Sequence, residues 1–155
     1  MRTARDVMTT EFHTLGPGDS IAQAVKLFGE ATQEEGRRVF GMMVTDRLGC
    51  LIGLLSMHDV LLFIRPKHVR LWGVMEDIDV SGLMETVCER AKSVRVEDIM
   101  TTDVITVTPD TPLMTVLDIM IKKHVRRLPV VDGEKIEGIV YISDLFHHFA
   151  ERLSS

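Results

Sequence analysis

The sequence predicts an α/β fold made of two related halves, each with the element order β-α-β-β-α. Two repeated segments carry this prediction: residues 6–10 (DVMTT) return as residues 98–102 (DIMTT), and residues 53–59 (GLLSMHD) return as residues 138–144 (GIVYISD). Between them, apolar residues alternate between helical spacing and the short continuous runs typical of covered strands. An internal duplication of roughly 60 residues indicates two similar structural units.

The two copies differ in length, which helps to place their boundaries. The first repeated block recurs after 92 positions (98 − 6) and the second after 85 (138 − 53), so the first copy is the longer one. Its extra residues fall near 30–36 and in the turn at 46–49, where added length costs little. We therefore place the first repeat at residues 1–64, an inter-repeat helical insert at 65–95 and the second repeat at 96–155.

Each half opens with a short extended segment, at residues 12–15 or 104–107, that leads into a turn containing proline. A helix is expected next, because apolar residues recur at i, i+3, i+4 and i+7. Ser20 and Thr111 are placed to cap these helices. The apolar stripe consists of Ile21, Ala24, Val25 and Phe28 in the first half and of Leu113, Val116, Leu117 and Met120 in the second.

Two apolar strands joined by a tight turn follow in each half, at residues 39–44 and 50–54 and again at 128–131 and 136–141. The Asp132-Gly133 step is a strong hairpin signal. A second helix is expected to begin near Ser56 or Ser143, and Pro66 should end the first of these. The apolar residues of the second helices are Val60, Leu61 and Ile64 in the first half and Leu145, Phe146 and Phe149 in the second.

Neither half has enough elements to cover its own sheet. We therefore expect the two halves to pack through their sheets about a pseudo-twofold axis. The insert carries apolar residues around Trp72, followed by an amphipathic helix through Leu83, Met84, Val87 and Ala91. We expect it to pack on the paired halves or on a second subunit.

Composition excludes several classes of protein. The chain of 155 residues is 45% hydrophobic and 26% charged, which is ordinary for a globular protein, and no apolar run approaches the ~20 residues of a membrane span. We expect a soluble cytoplasmic protein with no secretory signal and no membrane contact. A net charge of −5 argues against nucleic-acid binding. Cys50 and Cys88 lack metal-ligand spacing and are expected to be buried thiols.

The second half carries the most specific string, Val125-Arg126-Arg127-Leu128-Pro129-Val130-Val131-Asp132-Gly133, followed by Gly138-Ile139-Val140 and Asp144-Leu145. This string resembles the CBS domain, named after cystathionine beta-synthase, whose tandem form is the Bateman module. Residues 98–101 and 109–111 extend the resemblance over nearly the whole second copy, and the first copy matches more loosely. The resemblance implies two CBS repeats related by a pseudo-twofold axis.

The resemblance also implies a function. Paired CBS domains are generally regulatory modules that bind AMP, ADP, ATP or S-adenosylmethionine in clefts between the repeats and perform no chemistry. We accordingly expect no enzyme activity, no required cofactor, no metal and a small adenosyl molecule as regulatory ligand. The sequence contains no nucleophile motif and no phosphate-cradling glycine loop, so it offers no argument for an enzyme. His13, His58, His147 and His148 lack the spacing of a metal site.

By the family's pattern, a first cleft would combine a Ser/Thr-x-x-Asp element from one repeat with two segments of the other. The carboxylate can accept both ribose hydroxyls, the serine can bind ribose or phosphate at a helix N-terminus, and an arginine can meet the phosphate. Apolar residues would form the slot for adenine. The residues are Ser56, Asp59, Val104, Ile105, Val125, Arg126, Arg127 and Pro129.

A second cleft departs from the pattern. Tyr141 stands where serine or threonine is expected, and aligning Val44 with Val131 places Val39 and Phe40 at the positions of the two arginines. We therefore expect one competent site, or a second one that prefers a ligand with less phosphate. The second cleft would comprise Phe12, His13, Val39, Phe40, Met42, Tyr141 and Asp144.

Other interpretations stay open at this stage. Asp59 and Asp144 could serve only as helix caps, and Arg126 and Arg127 could be solvated surface residues. We expect a homodimer, since the apolar faces of the second helices usually need a partner, and a regulated protein could be a further partner. The pair could instead be a ligand-free scaffold in which the repeats only build a dimer for some partner. The chain could also be a regulatory fragment of a larger protein.

Overall fold

The computed structural model of the chain describes residues 2–36, 39–65 and 80–155, with side chains from residue 82 onward in the last range. It confirms the α/β class. The helices are α1 (Ala4–Val7), α2 (Ile21–Glu35), α3 (Met57–Ile64), α4 (Val80–Ser93), α5 (Val96–Ile99), α6 (Leu113–Lys123) and α7 (Ile142–Leu153), and the strands are β1 (Thr14–Leu15), β2 (Gly41–Thr45), β3 (Leu51–Ser56), β4 (Arg127–Asp132) and β5 (Lys135–Tyr141). Among the described helices, none has the length and apolar character needed to cross a membrane.

The chain forms two compact units that do not follow the order of the repeats. Unit 1 contains residues 2–12, Arg47–Leu51 and Asp103–Ser155, and unit 2 contains the described parts of His13–Asp46 and Ile52–Thr102. The opening segment of the first repeat therefore belongs to the unit built from the second repeat, and the reverse also holds. The repeat boundaries proposed at residues 64 and 96 stay predictions.

Equivalent hydrogen bonds hold each opening segment in its unit. In unit 1, the backbone N–H of Ala4 donates to the carbonyl of Thr111 at 2.9 Å. In unit 2, the N–H of Val96 donates to the carbonyl of Asp19 at 2.8 Å. Ala4 and Val96 are both fully buried, so each opening segment contributes a core side chain as well as backbone bonds.

The repeated glycines lie where an opening segment crosses a strand. Thr9 and Ile139 exchange both backbone hydrogen bonds in unit 1, at 2.8 and 3.0 Å, and Leu54 and Thr101 do so in unit 2, at 2.9 Å each. A Cβ atom on Gly138 would lie 2.8 Å from the Thr9 carbonyl oxygen. At Gly138 only glycine permits this approach. At Gly53 a Cβ would press mainly on the Met100 side chain, and the Thr101 carbonyl oxygen would lie 3.1 Å away.

The core of unit 2 lies between its small sheet and α2. Strand β1 is parallel to β2, with Leu15 beside Val44, and is shorter than the predicted 12–15. Ser20 caps α2 as predicted, accepting from the Gln23 N–H at 3.1 Å. The predicted stripe is wrong at Val25, which is 48% exposed, because the face turned to the core runs from buried Ala24 through half-buried Phe28 to buried Ala31. The buried residues are Leu15, Ile21, Ala24, Ala31, Met42, Val44, Leu55 and Val96.

The core of unit 1 lies between the β4–β5 hairpin and helices α6 and α7. The predicted strand at 104–107 is reduced to one parallel bridge between Val107 and Val130. Thr111 does not cap α6, contrary to prediction, because Pro112 intervenes as the N-cap residue and the Thr111 hydroxyl oxygen accepts from the Thr108 N–H instead. The buried residues are Ala4, Val107, Leu113, Val116, Met120, Leu128, Val130, Val140 and Leu145.

The insert is described only in part. Helix α4 confirms the predicted amphipathic helix, and Ala91 packs against the core of unit 2. Pro66 and Trp72, with their predicted roles, lie outside the described residues. Cys88 is exposed and Cys50 is half-buried, so the expectation of buried thiols is wrong.

Candidate functional site

The junction of β3 and α3 in unit 2 brings Ser56 and Asp59 together. Ser56 is the N-cap residue, and its hydroxyl oxygen accepts from the Asp59 N–H at 3.1 Å. The Asp59 carboxylate in turn accepts from the Ser56 N–H, with Oδ2 2.9 Å from the nitrogen. This reciprocal pair is a capping box, so the capping role considered from the sequence is real.

Capping uses only part of the hydrogen-bonding capacity of this pair. Within the described part of the chain, Asp59 Oδ1 accepts no hydrogen bond and the Ser56 hydroxyl proton is not donated. Both residues are half-buried rather than sealed in the core. A fixed carboxylate and a hydroxyl at the positive end of a helix are therefore available to a polar ligand.

The equivalent junction in unit 1 is built differently. Tyr141 is the N-cap residue of α7 and makes no side-chain capping bond. Its hydroxyl is at the far end of the ring, whereas the capping oxygen of serine or threonine is bonded to Cβ. Asp144 lies in the first turn of α7 and is half-buried, as is Tyr141. The junction keeps an acidic side chain near the helix N-terminus but loses the serine.

Backbone hydrogen bonds place one further predicted residue at each junction. The N–H of Met57, the first residue of α3, donates to the Phe40 carbonyl at 2.7 Å. The N–H of Ile142, the first residue of α7, donates to the Arg126 carbonyl at 2.9 Å. Phe40 and Arg126 therefore occupy equivalent positions in the two units.

This equivalence corrects the sequence alignment of the two copies by one residue. Leu15 lies beside Val44 in unit 2, and its counterpart Val107 bridges to Val130 in unit 1. Val44 thus corresponds to Val130 and not to Val131. Phe40 and Gly41, rather than Val39 and Phe40, stand where the second copy has its arginines. The absence of a cation at these two positions is unchanged.

The residues predicted for the second repeat's share of the first cleft all lie in unit 1. Arg126 is exposed and Arg127, the first residue of β4, is half-buried. Val104 is half-buried, and Ile105 and Val125 pack against the core of the unit. Pro129 is buried inside β4, and its carbonyl accepts from the Val107 N–H at 3.0 Å.

The first repeat's share of the second cleft lies in unit 2, except for half-buried Phe12 in unit 1. Met42 is only 2% exposed and belongs to the core, whereas Phe40 is 42% exposed. The Val39 N–H donates to the Thr32 hydroxyl at 3.1 Å, which ties this segment to α2. The His13 ring contacts the carboxylates of Glu35 and Glu34, which together raise the pKa of the imidazole.

Sequence reasoning missed the contacts of His13 with Glu34 and Glu35. Nothing in the spacing of Glu34 and Glu35 indicated that they would meet His13, since these residues lie on different elements 21 and 22 positions apart. The described residues contain no group of three or more His, Cys, Asp or Glu side chains that could hold a metal ion. Each predicted cleft draws on residues of both compact units, so the pairing of the half-sites stays a prediction.

Comparison with known proteins agrees with this architecture. The family model of the CBS domain matches residues 4–66 and 96–151. A CBS domain-containing protein, YhcV of Bacillus subtilis, is 26% identical over 145 residues, covering 94% of this chain and 84% of that protein. The 33.4 kDa protein of the ribosomal RNA operon of Thermofilum pendens is 28% identical over 76% of this chain, which spans only 34% of that protein's length.

Solved structures share the fold over the full length of the chain. The CBS-pair protein CBSX2 from Arabidopsis thaliana superposes with a TM-score of 0.75 at 23% identity, covering 99% of this chain and 97% of that one. The structure of CBSX2 in complex with AMP superposes with a TM-score of 0.69 at 24% identity and covers 99% and 98% of the two chains.

Proposed function

The chain belongs to the CBS domain family as a tandem pair, and from this premise we propose that it is a regulatory module that binds an adenosine-containing ligand. The candidates are AMP, ADP, ATP and S-adenosylmethionine. The function consists of binding and signalling, without enzymatic chemistry and without a required cofactor. A solved relative of the same fold is a complex with AMP, which supports an adenine nucleotide as ligand.

The single observation that carries the proposal is the Ser56–Asp59 pair at the start of α3. Its mutual hydrogen bonds fix the carboxylate in place, and Asp59 Oδ1 has no hydrogen bond in the described part of the chain. A carboxylate held in this way can accept hydrogen bonds from a ribose diol, with the charge strengthening each bond. Binding therefore need not disturb the helix cap.

The residues for the rest of the ligand come from the second repeat. Arg126 is exposed and makes no ion pair with any described residue, so it can meet a phosphate or carboxylate group. Arg127, Val104, Ile105, Val125 and Pro129 complete the proposed set. Their assembly with Ser56 and Asp59 into one site is part of the proposal.

A second adenosyl site would be weaker. Tyr141 supplies no capping hydroxyl at α7, and Phe40 and Gly41 replace the two arginines. Phe12, His13, Val39, Met42 and Asp144 are the remaining members of this weaker site. We propose one competent site per chain, with any second site preferring a ligand that carries less phosphate.

The regulatory output follows from differential binding. A ligand that prefers one arrangement of the repeats shifts the population toward that arrangement, and only by the difference between its two affinities. We propose a cytoplasmic homodimer as the working form. Its interface would use the exposed apolar side chains of the second helices: Met57, Leu61 and Leu62 on α3 and Ile142, Phe146 and Leu153 on α7. A regulated protein partner would read the ligand-bound form.

Thermal unfolding with and without ligand tests the role of Asp59. At about 100 times the dissociation constant, a ligand should stabilise the wild-type chain by ~2.7 kcal/mol. Asp59→Ala should remove this gain, and it should also cost about 1 kcal/mol through the lost cap.

Asp98→Ala is the matched control. The Asp98 carboxylate accepts from the Arg95 N–H at 2.9 Å in the same unit, so the substitution removes an equivalent cap. This variant should keep the ligand-dependent gain. If both variants lost the ligand-dependent stabilisation equally, Asp59 would have only a structural role.

A scaffold that only dimerises is the second candidate function. It is favoured by Tyr141 in place of the expected serine or threonine and by the exposed apolar side chains of α7. Under this alternative, no member of the adenosyl panel changes the unfolding temperature. Dimerisation would be the same in wild-type and Asp59→Ala chains.

A further inference from the structure

His13 bridges two carboxylates at the end of α2, all within unit 2. Its Nδ1 lies 2.8 Å from Glu35 Oε2, and its Nε2 lies 2.6 Å from Glu34 Oε2. Glu34 and Glu35 are the last two residues of α2, while His13 directly precedes β1. The bridge therefore joins the C-terminal end of the helix to the start of the strand.

The protonation state of His13 decides whether both contacts can exist. A neutral imidazole has one N–H donor and one acceptor nitrogen, whereas an ionised carboxylate only accepts. Two ionised carboxylates can therefore both be satisfied only by the imidazolium, which donates from both nitrogens. The C-terminal end of a helix also favours a cation and disfavours the two adjacent carboxylates.

The two carboxylates are not equivalent. The Glu35 side chain is 12% exposed, and its Oε1 is buried with no hydrogen-bond partner among the described residues. The Glu34 side chain is 66% exposed. If His13 keeps one proton, Glu35 needs the N–H, because water can solvate Glu34 but reaches Glu35 poorly.

Among the residues that the structure describes, the charged groups that act on the His13 ring come from α2. Its interacting carboxylates are Glu35 and Glu34, and the pKa of His13 is raised by its hydrogen bonds to them, Glu35 contributing most. Strand β2 (Gly41–Thr45), which pairs with β1, carries no titratable side chain. Arg37 and Arg38 lie outside the described residues.

We propose that His13, Glu34 and Glu35 form a proton-dependent latch that fixes the end of α2 to the chain entering β1. The doubly protonated ring holds both carboxylates, and loss of one proton keeps the contact to Glu35 and releases Glu34. The latch does not depend on ligand binding. It would nevertheless act next to the segment that contains Val39 and Phe40, which follows α2 in the chain.

The sign of the pH effect follows from the direction of the shift. A histidine whose pKa is raised in the folded state stabilises that state fully below its unfolded pKa of about 6.5. The contribution is lost as the pH rises through the higher folded-state pKa.

An NMR titration of the six histidine rings tests the latch, with His13 assigned by its absence in His13→Gln. His13 in the wild-type chain should titrate above the usual histidine pKa, and Glu34→Gln should lower its pKa while leaving the fold intact, since Glu34 is exposed. Glu30→Gln removes a charge from the same helix without touching His13, and it should leave the titration nearly unchanged.

Thermal unfolding supplies the second readout. Between about pH 6 and pH 9, the unfolding temperature of the wild-type chain should fall more than that of Glu34→Gln or His13→Gln. A His13 pKa at or below the usual value, or the same pH profile in wild-type and Glu34→Gln chains, would overturn the latch.

Discussion

At the residue scale, two glycines explain why the same short motif occurs twice. Gly138 and Gly53 each lie where an opening segment pairs with a strand, and a Cβ at either position would press on backbone or on a methionine side chain. At Gly138 the obstacle is the Thr9 carbonyl oxygen, which cannot move without breaking its bond to Ile139. The repeated motif thus records a backbone contact.

Gly138→Ala should destabilise unit 1 by about 1–3 kcal/mol, the usual cost of forcing an extra methyl group into a packed site. Gly29→Ala is the control. Gly29 lies in the exposed interior of α2, and nothing lies within 4 Å of the position that an alanine methyl group would take, so alanine there should stabilise the helix by up to about 1 kcal/mol. Chemical denaturation measures the stability change in both variants. Equal changes of the same sign would contradict the close contact between Gly138 and the Thr9 carbonyl oxygen.

Residue-scale prediction from the sequence succeeded where a motif encodes its own local structure. The Ser20 cap followed from residue type and position. Thr111 failed as a cap because Pro112 takes the N-cap position. The Glu34 and Glu35 contacts with His13 left no signal, since neither spacing nor periodicity relates residues on separate elements.

At the element scale, α7 places neighbouring apolar residues in different environments, one in the core and one on the surface. Leu145 is 1% exposed and lies in the core of unit 1, while its neighbour Phe146 is 65% exposed. The hydrophobic pattern predicted the helix but could not separate these two roles, because adjacent apolar residues point about 100° apart. Which of the two faces inward depends on the β4–β5 hairpin beneath.

Substitutions at these neighbouring positions should have opposite consequences. Leu145→Ala should cost about 2–5 kcal/mol of folding free energy, because it leaves a cavity in the core. Phe146→Ala should change stability by less than about 0.5 kcal/mol and should weaken the proposed homodimer. Denaturation and light scattering measure the two effects. If the Phe146→Ala chain dimerised as strongly as wild type, the dimer interface would not include this part of α7.

At the scale of the whole molecule, the compact units are assembled from exchanged segments. The duplication, the hairpins and the α/β class could be predicted because each leaves a local or periodic signal. The exchange could not, because the bond from Ala4 to Thr111 joins residues far apart in sequence and leaves no pattern. The one-residue correction to the alignment of the copies was hidden for a related reason, since it depends on the pairing of Val107 with Val130, which lie on separate segments.

The exchange predicts that residues 103–155 alone are less stable than unit 1 in the full chain. They lack buried Ala4 and the backbone partner that Thr9 provides to Ile139. A synthetic peptide of residues 2–12 should bind this fragment and raise its unfolding temperature, and the same peptide with Ala4→Arg should not. Full stability of the fragment without any peptide would contradict the exchange.

The measurement that tests the central claim most directly is a calorimetric titration of the full chain with AMP, ADP, ATP and S-adenosylmethionine in turn. The account predicts saturable heat with at least one of the four and a stoichiometry of one ligand per chain. Absence of binding heat for all four, at temperatures where the binding enthalpy cannot vanish by coincidence, would contradict it.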